Sequence, residues 1–367
     1  MKKNPQSTEN SATTKVMMAM SGGVDSAVGA LLLKRAGYLV TGVTMQLHGE
    51  ATCQGERSCS TAKDVEDAAH VAQQMDIPFE SHHLEADFAH FVIDPFVYAY
   101  EHGATPNPCV DCNRHMKFAH LHRLAKEQGF DYLATGHYAR IEQKGGRFLL
   151  KKAKDLSKDQ SYMLYSLSQE QLSRTLFPLG EYEKTETRAI AEEAGFSNSQ
   201  KPDSQDICFV PDGDYAAFIE GYTGKPYPKG NFVTRDGKVV GEHSGIIRYT
   251  VGQRKGLGIA LGAPTYVCKI CPENNTVVLG QNSDLFSDSL QAKDVNWIAF
   301  PCPTAPFTCK AKTRYRQAEE ACTVTPLPSG KVKVKFAAPL RAITPGQSIV
   351  FYDGDYVLGG GVIEEAL

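Results

Sequence analysis

The chain has 367 residues, a length that fits two or three domains of about 100–200 residues each. Its 42% hydrophobic, 22% charged and 9% aromatic residues read as a soluble globular chain and exclude wholesale disorder, collagen and a disulfide miniprotein. No apolar run reaches the roughly 18–20 residues of a membrane span, and a net charge of −3 does not advertise a nucleic-acid binder.

Residues 1–14 are polar, rich in Ser, Thr and Asn, and lack the apolar centre of a secretory leader, which predicts a disordered tail on a cytoplasmic chain. The ten cysteines then read as reduced thiols available for chemistry or metal, not as staples. Residues 16–20 are a short apolar run, a Ser-Gly-Gly turn follows, and 27–35 read as a helix stopped by Gly37. A second strand covers 38–47. Val65, Ala68, Ala69, Ala72 and Met75 recur at helical spacing before a third strand opening at Ile77. Further helices cover 87–100 and the stretch around 118–125, and a strand at 132–134 ends in Thr135-Gly136-His137. This alternation predicts βαβ units and a parallel sheet. Ligands then belong at the carboxyl ends of the strands, where Ser21 and Gly136 fall.

Residues 169–195 read as helical. After about Tyr215 glycine and proline become frequent and the runs shorten and alternate, as in Lys331-Val-Lys-Val-Lys-Phe336, which predicts an all-β remainder. The expected division is an α/β domain over 15–215, a small β-rich domain over 216–288 and a C-terminal β-barrel over 289–367. Charge is uneven along this plan. Residues 301–350 carry eight Lys and Arg against Glu319 and Glu320; residues 140–158 carry seven against Glu142 and Asp155. Such blocks suit phosphate contacts even on an acidic protein, although on charge alone solvated strand faces are the better explanation.

Met20-Ser-Gly-Gly-Val-Asp-Ser26 lies at a strand-to-helix turn, where glycines let successive amides and the helix N-terminus enclose an anion. The Gly-Lys-[Ser/Thr] ending of kinase-type loops is absent. Asp25 suits a phosphate site only if it holds a cation or an amine. The segment resembles the SGGxDS loop of the N-type ATP pyrophosphatases, which cleave ATP between the α and β phosphates to adenylate a substrate oxygen. That resemblance implies the nucleotide chemistry and leaves the acceptor open.

Cys109 and Cys112 lie three apart at the expected start of a helix running to about Gln128, with Asn107 as N-cap and Pro108 first inside. The positive end of a helix lowers a thiol pKa. Cys208 sits in Lys201-Pro-Asp-Ser-Gln-Asp-Ile-Cys208, close to where α/β gives way to β. From spacing alone three readings stay open: a zinc site completed by the histidines 115, 120 and 122, an iron–sulfur cluster on Cys109, Cys112 and Cys208, or two redox partners, one carrying a persulfide.

Five further motifs stand in order: TPNPCVDCNRHMKF (105–118), ATGHYAR (134–140), KDQSYMLY (158–165), DSQDICF (203–209) and YTVGQRKGLGI (249–259). Together they resemble the tRNA-specific 2-thiouridylase family over essentially the whole chain after Lys15. The resemblance favours the third reading and implies Cys112 as nucleophile and Cys208 as persulfide carrier. It implies ATP contacts at Ala19, Met20, Ser21, Gly22, Gly23, Val24, Asp25, Ser26, Met45 and Gly136, and target-base contacts at Asn107, Pro108 and Cys109. Contacts to tRNA fall on His137, Lys158, Asp159, Gln160, Arg314, Tyr315 and Gln347. ATP with Mg²⁺, the anticodon arm of the Lys, Glu and Gln tRNAs, a cysteine desulfurase or persulfide carrier and an external reductant are the implied partners. No resident metal is expected, with the iron–sulfur cluster as the open alternative.

The implied reaction adenylates C2–O of the wobble uridine and then replaces that oxygen by persulfide sulfur, on a base held out of its stack. A pyrophosphatase-type amide ligase, related to argininosuccinate or GMP synthetase, is the alternative enzyme class. A zinc-dependent RNA-binding module is the non-enzymatic one. Cys53 and Cys59 read as loop thiols. Cys268 and Cys271, three apart on a strand, point to opposite faces and cannot chelate together without a turn at Pro272.

Overall fold

The computed structural model describes residues 13–47, 62–202, 206–210, 212–260 and 262–367. Cys53, Cys59, Asp203, Ser204 and Gln205 therefore lie outside the described residues, as does residues 1–12 of the expected tail. Thr14, placed in that tail by composition, accepts a hydrogen bond from Leu39 N.

The first domain is a parallel sheet. Strands β1 (Lys15–Ala19), β2 (Leu39–Gln46), β3 (Phe79–His83), β4 (Tyr132–Thr135) and the short β7 (Thr175–Leu176) order as β3-β2-β1-β4-β7. Every neighbouring pair is parallel. Val16, Met17 and Met18 of β1 are fully buried, as a central strand covered by helices on both faces requires. Strand order reverses between β2 and β4 around β1, which opens the crevice where such folds bind ligands. Helix α1 (Val24–Arg35) rises from that crevice and ends where Gly37, at φ +89°, takes the left-handed turn. Helix α2 (Ala62–Gln74) follows β2 in chain order.

Two longer helices, residues 85–101 and 108–127, each contain a π-helical stretch, over Ala89–Ile93 and Cys112–His120. In the first, Pro95 lacks the N–H that would continue the ladder, and the wider turn falls just before it. The second has no proline beyond Pro108 at its first position, and its widened turns begin at Cys112.

Three parts of the chain depart from the expected pattern. Residues 169–195 are not one helical run: helices Gln169–Ser173 and Lys184–Glu193 flank β7, because Pro178 and Gly180 break the backbone between them. The remainder after Tyr215 is not all-β, since Tyr215–Thr223 is a helix. Asp214 caps it by accepting from Ala217 N, and Gly224 closes it at φ +63°. Residues 139–152 form an antiparallel hairpin, β5 (Ala139–Lys144) and β6 (Arg147–Lys152), inside the expected α/β domain.

The central domain is a four-stranded sheet of β8 (Gly230–Thr234), β9 (Val239–His243), β10 (Tyr266–Cys271) and β11 (Thr276–Gly280), ordered β10-β11-β8-β9. Phe232, Tyr249, Val267 and Val277 fill its core. The C-terminal unit comprises β12 (Phe286–Trp297), β13 (Phe307–Lys312), β14 (Glu320–Pro326), β15 (Val332–Arg341), β16 (Ser348–Asp353) and β17 (Tyr356–Ala366). These six close into a barrel through β12–β17, which removes both sheet edges. Val332, Val334 and Phe336 of β15 face inward while Lys333 and Lys335 face out, as the alternation predicts.

The hairpin β5–β6 docks on the barrel at the Tyr356–Lys151 pairing. Tyr162, Tyr165, Ile298, Val350 and Tyr352 bury together there, so first domain and barrel share a core. Two bases of the 140–158 block hold this joint: Arg140 pairs with Asp355 at 3.1 Å, and Lys152 with Glu319 at 2.5 Å. Lys151 pairs with Glu142 within the hairpin. Those charges are compensated inside the protein, not offered to a ligand.

Candidate active site

The turn after β1 brings Ser21, Gly22 and Gly23 to the start of α1. Gly22 sits at φ +70°, and a side chain there would meet Asp64 O at 2.4 Å, so both conformation and space demand glycine. Ser26 Oγ donates to Gly23 O at 3.0 Å and accepts from Ser21 N at 3.2 Å, which folds the turn back on the helix. Gly136, at the end of β4, abuts the same helix start; a Cβ there would lie 2.9 Å from Ser26 N. Met45 is buried near the end of β2. The loop, Gly136 and Met45 thus lie at the carboxyl ends of β1, β4 and β2, around the crevice.

Asp25 finds the amine that its presence demanded. Lys184 Nζ lies 2.8 and 2.7 Å from its two carboxylate oxygens, and Tyr138 OH donates to it at 2.9 Å. Lys184 is nearly buried, and its helix stands 159 residues from Asp25 along the chain. A second lysine ties the loop from the other side. Lys201 Nζ bonds Asp64 and Asp67 of α2, each at 2.7 Å, and reaches Gly22 O at 3.5 Å; Asn198 Nδ2 donates to Gly22 O at 3.0 Å. Burial works against the Lys201 charge, but its bonds to the two aspartates prevail and hold its pKa above the ordinary lysine range. Lys201 opens the stretch leading to Cys208, so the base of that stretch is anchored on the phosphate loop.

The helix 108–127 begins at Asn107 without a side-chain cap; Asn107 Nδ2 instead lies 3.6 Å from Met163 Sδ. Cys109 is exposed and Cys112 buried. Asn113 Nδ2 donates to Met163 O at 3.0 Å, while its Oδ1 is buried without a partner among the described residues. Cys208 is half-buried and packs, with Ile207, against the apolar cluster that contains Cys112. Phe209 fixes that segment between Phe96 and Phe218, each with ring centroids at 5.1 Å, and against Phe88 at 5.8 Å. Cys112 and Cys208 therefore border one continuous cluster. Among the described residues no three Cys, His, Asp or Glu side chains gather as a metal site.

Asp111, beside Cys112, is held up at about 6 by burial, against the opposing pull of Arg114. The raised value means that folding favours the protonated acid. Stability contributed by that proton is full below the ordinary carboxylate range and lost as pH rises to about 6. Asp111→Asn is expected to stabilise the protein by about 1–3 kcal/mol above pH 6, with no gain near pH 4. Denaturant unfolding at both pH values checks this.

The residues expected at tRNA divide into two groups. His137 is buried, donates to or accepts from Thr135 Oγ1 at 2.7 Å, and lies between Phe118 and Phe177. Burial, with Lys117 nearby, pushes its pKa well below the usual range, so it is neutral. Asp159 is buried too; its carboxylate accepts from Ala153 N, Ser161 N and Ser161 Oγ and braces its own loop. Gln160 Oε1 accepts from Tyr138 N at 2.9 Å within the first domain, while Arg314, Tyr315 and Gln347 meet at the joint of the three domains. Tyr315 OH donates to Asp159 O at 2.9 Å, which joins the 158–160 stretch to the barrel. Gln347 Nε2 donates to Thr105 O at 2.9 Å and Pro106 O at 3.2 Å, just before Asn107 and Pro108. Arg314 Nη2 binds Ala342 O at 2.7 Å and Thr344 Oγ1 at 2.9 Å, with no carboxylate partner among the described residues.

A cavity of about 840 Å³ opens at this joint, lined by Thr105, Arg248, Gln253, Arg314 and Gln347 among others. Gln253 belongs to the 249–259 motif, to which the sequence attached no role. Lys184 and Asn198 carried no signal in the sequence, and Lys201 and Tyr138 stood within motifs but without these roles, because their partners are remote in the chain; the unexplained Asp25 was the one hint.

A HUP-type α/β domain with a glycine-built phosphate loop, followed by two β modules, places the molecule in the PP-loop superfamily. Family models match in that order: the tRNA methyl transferase HUP domain over residues 14–212, the tRNA methyl transferase PRC-barrel domain over 216–281 and the aminomethyltransferase beta-barrel domain over 287–363. The chain is 49% identical over 353 residues to a tRNA-specific 2-thiouridylase of Lachnoclostridium phytofermentans, covering 95% of this chain and 99% of that one. It is 49% identical over 356 residues to those of Clostridioides difficile and Clostridium perfringens, covering 96% of this chain and 99% of each relative. The chain belongs to the tRNA-specific 2-thiouridylase family.

Proposed function

We propose that this protein is an ATP-dependent tRNA sulfurtransferase that converts the wobble uridine to 2-thiouridine. The observation that carries the reading is the joint placement of a phosphate loop and two cysteine segments: Lys201 anchors the Cys208 stretch on the loop, and Cys208 packs on the cluster holding Cys112. An amide ligase of the same superfamily has no need of that pairing.

ATP enters with its Mg²⁺ as substrate. Amides of residues 21–24 and the N-terminus of α1 receive the phosphates, with Ser21 and Ser26 as added donors. Uridine O2 attacks the α-phosphorus and pyrophosphate leaves, so that AMP becomes the leaving group on C2. A persulfide on Cys208 supplies the sulfur, either by direct attack on C2 or after Cys112 attacks Cys208 Sγ and frees it as sulfide. Either way Cys112 and Cys208 end as a disulfide, and two electrons from an outside reductant reset them. The exposed Cys109 and the Asn107–Pro108 turn face the extruded base, and the joint around Arg314 and Gln347 takes the anticodon arm.

Incubation with ATP, a tRNA bearing an unmodified wobble uridine, cysteine and a cysteine desulfurase tests this. Nucleoside mass spectrometry is expected to find 2-thiouridine at the wobble position only when ATP is present. Pyrophosphate exchange with a small amine and no thiolation would indicate a ligase; stoichiometric zinc with no ATP consumption would indicate a binding module.

A further inference from the structure

Cys309 and Cys322 have no place in the scheme above, yet they form a built pair. They stand directly opposite each other on β13 and β14, with sulfurs 3.6 Å apart. Cys322 is buried and Cys309 half-buried. Side chains opposite each other on antiparallel strands are held close by the ladder itself, so this approach is fixed by register and not by loop conformation. The hairpin they span turns over residues 313–319, and that turn presents Arg314 and Tyr315 at the three-domain joint.

We propose that Cys309 and Cys322 are an oxidisable dithiol, and that closing it as a cross-strand disulfide weakens RNA binding by the hairpin tip; the RNA half rests on the function proposed above. A disulfide brings the sulfurs to about 2.05 Å, so closure moves them on the order of 1.5 Å nearer, a shift shared between the two side chains and the strands that carry them. Ala311 and Val324, both fully buried on these strands, resist that movement within the barrel core. The displacement passes to the tip, where Arg314 is bonded to Ala342 and Thr344, and Tyr315 to Asp159.

The oxidant is a small-molecule disulfide. One cysteine loses its proton, its thiolate attacks that disulfide and one small thiol leaves. The second cysteine, also deprotonated, then attacks the mixed disulfide and a second small thiol leaves. Two electrons and two protons pass from the pair to the oxidant. The Cys322 thiol and burial together hold Cys309 well above the ordinary thiol range, so closure is slow at neutral pH and speeds as pH rises.

Full-length protein carrying Cys112→Ser and Cys208→Ser, which removes the other dithiol, is exposed to oxidised glutathione at mildly alkaline pH, alkylated and digested. The expected product is a linked peptide pair joining residues 309 and 322, reversed by dithiothreitol. Affinity for tRNA, measured on the same samples, is expected to fall severalfold on oxidation, recover on reduction and stay constant when Cys309→Ser is added. Alkylation of both residues after oxidant treatment would overturn the dithiol. A link formed with unchanged affinity would overturn its coupling to RNA. Reduced protein that binds no tRNA would remove the RNA half together with the proposed function, while the link is still read by mass.

Discussion

Cys112→Ser and Cys208→Ser are each expected to reduce 2-thiouridine formation on the order of a thousandfold or more, with ATP affinity unchanged. Neither side chain enters the phosphate loop, which is built from residues 20–26 and stabilised by Lys184, Lys201 and Asn198. Serine is close to cysteine in size and keeps the packing, and a hydroxyl left unbonded at the buried Cys112 costs about 1–3 kcal/mol, which lowers stability without entering the phosphate loop. A hydroxyl there can neither carry a persulfide nor reduce one. Cys109→Ser is the control. Cys109 is exposed and opens no π turn, so its replacement is expected to lower activity less than about tenfold. Product quantified by nucleoside mass spectrometry, beside ATP binding by calorimetry, separates the three variants. Full thiolation by either Cys112→Ser or Cys208→Ser would remove that residue from the mechanism.

Lys184→Met is expected to damage the nucleotide site and the fold together. Its ammonium makes two contacts to Asp25, which stands at the first turn of α1, directly beside the phosphate loop. Removing one partner of such a pair costs about 3–5 kcal/mol when both are enclosed. The Asp25 side chain keeps 31% exposure, and solvent relief brings the expectation to about 2–4 kcal/mol. In the proposed nucleotide site the bare carboxylate, one residue from Val24 of the loop, repels the phosphates. ATP affinity is therefore expected to fall by at least about tenfold. Adding Asp25→Asn removes that charge and is expected to restore part of the stability and of the affinity. Thermal unfolding with and without ATP checks both effects; equal damage in single and double variants would show that Lys184 acts by packing alone.

The parallel sheet and its site were legible because the informative residues lie close together in the chain. An apolar run, two glycines and a helix start within residues 16–26 are enough to locate a phosphate loop at a strand end. Long-range partners left no such trace. Asp25 demanded an amine, but nothing near it in the sequence marked Lys184. The seven bases of residues 140–158 looked like a surface for phosphates, whereas Arg140, Lys151 and Lys152 meet carboxylates at the hairpin and the barrel joint. Charge counting cannot see Asp355 or Glu319, which come more than 150 residues later. The helix 215–223 was masked by the Gly- and Pro-rich sequence that follows it, although Asp214 and Gly224 are ordinary cap residues. His137 and Asp159 carry motif positions, and the fold encloses both, one between rings and one within its own loop.

The proposed mechanism requires the thiols of residues 112 and 208 to react with each other during a turnover. Single-turnover reaction of persulfide-loaded protein with ATP and tRNA, quenched by acid in the absence of reductant and mapped by peptide mass spectrometry, tests it directly. The expected result is a peptide linked through Cys112 and Cys208, appearing in step with 2-thiouridine and one for one with it. Thiouridine formed while both cysteines remain open to alkylation would contradict it.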